Sequence, residues 1–133
     1  MSLGDHLRFL RAMKGGVGTA TIARAIGLER PWPINEIEVR YRETGADELV
    51  GRLAEYLSRP VEELFWHRER SRTMLTRHIQ HALQHAQPIV LHLRSGETLS
   101  GLPAWWDLGS IGLVVEGEAQ LTVVQRHAVI DWG

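Results

Sequence analysis

HAQPIVLHLRSGE, residues 85–97, is where the periodicity of this chain changes. Upstream of it, Leu75, Ile79, Ala82, Leu83 and Ala86 recur at three- and four-residue spacing, the apolar stripe of a helix over about residues 71–86 that Pro88 ends. Within it, Ile89, Leu91 and Leu93 alternate with Val90, His92 and Arg94, the two-residue period of a strand, and Ser95 with Gly96 makes a turn. Helix gives way to strand at one point, so the expected fold class is α+β.

Downstream the strand pattern continues. A second strand follows through Leu99 to about Leu102, and further runs cover residues 110–115, 119–124 and 128–132, with a turn at Glu116 and Gly117. Five short strands after one helix are too few for a sandwich and predict a small bent β-barrel with open edges that invite pairing with a second copy.

Upstream the helical pattern extends to the N-terminus. Leu3, Leu7, Leu10 and Met13 predict a first helix over residues 2–14, with Ser2 and Asp5 in the relation of a capping box. Thr19 caps a second over residues 19–26, stopped by Gly27. A third begins at Pro33 and turns Ile34, Ile37 and Tyr41 inward up to about Glu43. A fourth, over residues 47–57, presents Leu49, Val50, Leu53 and Leu57, and Ser58, Arg59 and Pro60 open a fifth short one through Leu64 and Phe65. The expected boundary places a helical domain at residues 1–68 and a helix-plus-strand domain at residues 69–133, with a linker near residues 67–70.

Composition narrows the function. In 133 residues there is no cysteine, which excludes disulfides, thiolate metal sites and thiol nucleophiles. No apolar run is long enough to span a membrane and the first residues lack the features of a signal peptide, so a soluble, cytoplasmic protein is expected. Residues 1–87 carry 13 basic and 11 acidic side chains, a balance of +2, whereas residues 88–133 carry 2 and 5, a balance of -3. Neither part is a strongly basic surface. No nucleophile–base constellation or nucleotide fingerprint can be placed, so the protein is not expected to be an enzyme, and no cofactor is expected. Gly15, Gly16, Val17 and Gly18 lack the lysine and the preceding strand of a phosphate loop.

Two stretches carry resemblances. LGDHLRFLRAMKG, TIARAIGL, INEIE and LAEYLSRPVEEL fall, in this order, where a lambda-repressor-like (Xre-type) helix-turn-helix domain has its successive helices, so that residues 3–66 resemble that family. The resemblance implies that Thr19 and Thr21 contact phosphate or the groove, that Trp32, Asn35 and Glu36 face the bases, and that Arg40 and Arg42 contribute to DNA binding. The chain departs from the family in a turn that is one residue longer, in Pro31 and Pro33, and in the acids Glu36, Glu38 and Glu43, which oppose counterion release.

Residues 71–132 are similar to the Sm-like (Hfq-like) family on PIVLHLRSGETLSG, WWD and QRHAVI. That resemblance implies a ring of copies joined by barrel edges. It also implies an exposed Arg126 and His127 at the subunit boundary, facing the pore, that grip uridine-rich RNA, with Gln125 beside them as an RNA-binding residue and His92 as one on the opposite face, where an aromatic is expected. Gln125 stands where the family has an aromatic residue, and Leu108, Gly109 and Ser110 offer no stacking platform, so weaker RNA binding is expected. The expected function is a nucleic-acid-binding transcription regulator that binds DNA through its helices and forms a homo-oligomer through its strand edges. The alternatives are an Hfq-like RNA chaperone and an assembly scaffold that binds neither.

Two further features have plain readings. His78, His81 and His85 form a stripe beside the apolar face of the sixth helix, expected to be a solvated surface and not a metal site. Trp105 and Trp106, adjacent in a strand, point to opposite sides, so at least one belongs to the core or to a subunit interface.

Overall fold

A computed structural model describes residues 1–39 and 45–133. The elements run α1 (Leu3–Met13), α2 (Thr19–Ala25), α3 (Trp32–Val39), α4 (Asp47–Leu57), α5 (Val61–Arg68), α6 (Arg72–His85), β1 (Ile89–Leu93), β2 (Thr98–Trp106), β3 (Ser110–Val115), β4 (Thr122–Gln125), a 3-10 turn (Arg126–Ala128) and β5 (Val129–Trp132). They divide into two compact units, Ser2–Arg72 and Thr73–Gly133 with Met1. The fold class is α+β, as expected.

In the first unit, α1 starts where Ser2 accepts a hydrogen bond from the Asp5 backbone N–H at 3.2 Å and donates its hydroxyl to the Asp5 carboxylate at 3.0 Å. Burial alone would raise the Asp5 carboxyl, but the Arg72 guanidinium and the Ser2 hydroxyl overcome it and hold that carboxyl below its ordinary value. Leu3, Leu7 and Leu10 of α1 meet Ile34 and Ile37 of α3, Ile22 of α2, Val50 and Leu53 of α4 and Leu64 of α5 in one core. Each such side chain contributes about 1.5 to 3 kcal/mol by leaving water. Gly4 sets the α1–α3 spacing, because a side chain there would run into the backbone of Ile37 and Glu38.

Three local expectations are corrected. Thr19 is the first residue of α2 and not its cap; the cap position is Gly18, which makes no side-chain bond. Ser58 closes α4 in the left-handed conformation, φ 54°, and does not open α5, whose cap position is Pro60. The third helix begins one residue before Pro33, and its expected continuation to Glu43 lies outside the described residues, as does the inward position given to Tyr41.

In the second unit, α6 carries Leu75, Ile79 and Ala82 onto a core with Ile89, Leu91, Ile111, Leu113, Val124 and Val129. All five strands form one antiparallel sheet in the order β4-β3-β2-β1-β5. The register alternates as the sequence demands: Leu91 opposite Leu99 and Ile111 opposite Val124 face the core, while Leu102 opposite Val114 faces out. Register shifts between His92 and Leu93 and between Pro103 and Trp105 bend the strands. The sheet is not closed: β4 and β5 each end it as an edge. β2 is longer than expected because the pairing with β3 carries it on through Trp106. β4 starts later than residue 119, at Thr122, and residues 126–128 form a helical turn between β4 and β5.

Candidate nucleic-acid interface

The helix α3 follows a break of six residues, 26–31, after α2. Ile22 and Ala23 of α2 and Ile34 and Ile37 of α3 are buried, which turns the opposite sides of both helices to solvent. On α3 that outward side holds Trp32, 60% exposed, with Asn35 and Val39 three and seven residues on, a spacing that puts them on one helical face. Glu36 is half-buried beside them, Thr21 is exposed on α2, and Thr19 is half-buried at its first position. Arg40 and Arg42 lie outside the described residues.

Glu38 does not share that face. It is buried, and the Arg11 guanidinium of α1 holds it with Nε donating to Oε1 at 2.9 Å and Nη2 to Oε2 at 3.3 Å. The third Arg11 nitrogen, Nη1, donates to the Val17 carbonyl at 3.0 Å. Of the two described acids that opposed a phosphate-lined groove on sequence grounds, one is therefore neutralised inside the fold. Sequence reasoning also missed two exposed cations at this end of the unit, Arg24 on α2 and Arg30 in the break. Their signal was position: Arg24 stands two residues after the buried Ile22 and so turns away from the core. An exposed helix face bearing an indole and a carboxamide, with arginines on the preceding helix and turn, has the donor and acceptor types that read a base edge and neutralise phosphate.

The second unit departs most from expectation at Arg126. This side chain is 5% exposed. Its Nη1 donates to the Asp107 carbonyl at 2.8 Å, its Nη2 to the Thr76 hydroxyl at 2.5 Å, and the guanidinium lies 5.5 Å from the centre of the Trp106 ring. The expected outward-facing pair is thus split: His127 and Gln125 are exposed, whereas Arg126 ties the 3-10 turn to α6 and to the turn between β2 and β3. In the 3-10 turn successive residues project to different sides, which separates Arg126 from His127. His92 is exposed on β1, its ring Nδ1 3.1 Å from the Thr98 hydroxyl of the neighbouring strand. β2 and β3 stand between β1 and β4, so His92 and Gln125 are not on adjacent strands.

Trp105 and Trp106 do point opposite ways. Trp106 packs against the core, while Trp105, 39% exposed, lies against Gly112, where any side chain would collide with its indole. In the first unit an unexpected pair is buried: His6 and His67 stack with ring centres 3.8 Å apart, and His6 Nε2 approaches the Glu63 carboxylate at 3.3 Å. The Arg59 guanidinium on Glu63, helped by His6 against a smaller opposing effect of burial, lowers that carboxyl to about 2. Among the described residues no three His, Asp or Glu side chains converge as a metal site, and no helix is long and apolar enough to cross a membrane.

Comparison with known proteins finds no family model that matches the chain and no curated protein significantly similar to it.

Proposed function

We propose that the chain is a nucleic-acid-binding regulatory protein: a lambda-repressor-like helix-turn-helix unit that contacts duplex DNA through the outward side of α3, and an Sm-like sheet that joins copies. The observation that carries this reading is the α3 face, with Trp32, Asn35 and Val39 turned to solvent while Glu38 is turned inward onto Arg11. Asn35 is suited to a bidentate bond with adenine, Trp32 to apolar contact with a thymine methyl, and Arg24 and Arg30 to phosphate. The open edges support assembly. β4 and β5 are the two border strands of one sheet, and pairing β4 of one copy with β5 of the next repeats around a closed ring. Such a ring multiplies weak DNA contacts into avidity. RNA binding through His127 and Gln125 is the second reading; it keeps two exposed side chains but loses the cation, because the Arg126 guanidinium is held within its own unit.

The test is a titration of duplex DNA and of uridine-rich RNA at two salt concentrations, with Trp32→Ala, Asn35→Ala and His127→Ala variants. The proposal expects duplex binding that weakens steeply with salt and falls tenfold or more in the α3 variants, since a good base contact contributes about 1 to 3 kcal/mol. Loss of RNA binding in His127→Ala alone, with no duplex binding, transfers the function to the sheet. Binding of neither leaves a scaffold.

A further inference from the structure

The histidine stripe of α6 is not one feature but two. His78 is committed to the backbone, its Nε2 donating to the Gly133 carbonyl at 3.0 Å. His81 and His85, one turn apart on the exposed side, face each other with ring centres 4.2 Å apart and a tilt of 31°. The His85 Nδ1 lies 2.8 Å from the His81 carbonyl oxygen, an atom that can only accept, so Nδ1 carries the hydrogen. In the neutral ring this leaves the His85 lone pair on Nε2, at the far side from the helix backbone. A backbone carbonyl that fixes the tautomer in this way is the usual outer support of a metal-bound imidazole.

We propose that His81 and His85 form a two-imidazole site for one divalent transition-metal ion, the remaining positions being filled by water. Three observations converge on it. Residues four apart on a helix project side by side, and with ring centres 4.2 Å apart a rotation of the exposed His81 ring about its side-chain bonds brings one nitrogen of each imidazole to a common ion. The tautomer of His85 is set for coordination by its bond to the helix backbone. His85 lies in the last turn of the fourteen-residue helix, where the carbonyl end of the helix dipole favours positive charge. Imidazole pairs select zinc, nickel or copper over magnesium or calcium, which take oxygen ligands. With two protein ligands the ion is held less tightly than in a closed four-ligand structural site and exchanges with solution.

Zinc and, separately, magnesium are titrated calorimetrically into the full chain and into His78→Ala, His81→Ala and His85→Ala variants. All three substitutions put alanine on an exposed or half-exposed helix face, so folding is retained, which circular dichroism confirms. The expected result is one zinc per chain, no magnesium, at least a tenfold loss of zinc affinity in either His81→Ala or His85→Ala, and unchanged affinity in His78→Ala. Zinc should also raise the unfolding temperature of the wild type and of His78→Ala but not of the other two variants. Equal zinc binding by all four proteins, no binding by the wild type up to millimolar zinc, or a loss in His78→Ala as large as in the other two would overturn the assignment.

Discussion

Replacing Arg126 with lysine keeps the positive charge but removes the planar fork that spans the Asp107 carbonyl and the Thr76 hydroxyl. A lysine ammonium, on a shorter reach, satisfies one of these acceptors and leaves the other in a site that is 5% exposed. One hydrogen bond from a charged donor is worth about 1.5 to 3 kcal/mol, so the second unit should lose that much stability. His127→Ala, next to it but exposed, should stay within about 0.5 kcal/mol of wild type. Urea unfolding followed by the fluorescence of Trp105, Trp106 and Trp132 measures the difference as a lower midpoint at constant slope. An Arg126→Lys protein as stable as wild type but weakened in RNA binding would refute the internal role and return Arg126 to the ligand-facing position that its sequence suggested.

Other consequences follow from the same contacts. Arg11→Ala leaves the Glu38 carboxylate, 4% exposed in its side chain, without its cation; the first unit should lose about 3 kcal/mol in chemical denaturation, the lower end for a buried pair because Arg11 is 23% exposed. Glu63 has a folded pKa of about 2 against an ordinary 4.5, so its contribution is present above the ordinary value and is lost as pH falls from about 4.5 to about 2. Unfolding midpoints of Glu63→Gln should therefore change less across that window than those of wild type. Val123, 55% exposed on the β4 edge, should when replaced by lysine lower the assembled mass in light scattering without altering the circular dichroism; an unchanged mass removes that edge from the interface.

Much of the fold was legible because periodicity records burial. The switch from helical to alternating spacing at Pro88 located the start of the sheet, and Leu3, Leu7 and Leu10 or Leu75 and Ile79 are buried where their spacing put them. What the sequence hid were contacts between distant residues. Arg126 and His127 look alike as neighbours in an apolar stretch, and only the folded chain brings Thr76, fifty residues earlier, to the Arg126 guanidinium. Glu38 counted against DNA binding until Arg11 was found beside it, and His6 and His67 gave no sign of their stack. Capping was misread at Thr19 and Ser58 for a related reason: a hydroxyl one or two residues away from a cap position has the right chemistry and the wrong backbone. For the α3 face, the resemblance implied that Trp32 and Asn35 face outward, and both are exposed, whereas Arg24 and Arg30 became candidates only once the orientation of α2 was known.

The most direct test of the α3 reading is the indole N–H resonance of Trp32, one of five tryptophans, assigned by its disappearance in Trp32→Phe. When duplex DNA is titrated at low salt, the account expects the Trp32 resonance to shift or broaden while those of Trp105, Trp106 and Trp132 stay in place. A Trp32 resonance that does not move at saturating DNA, with changes confined to the tryptophans of the sheet, would contradict it.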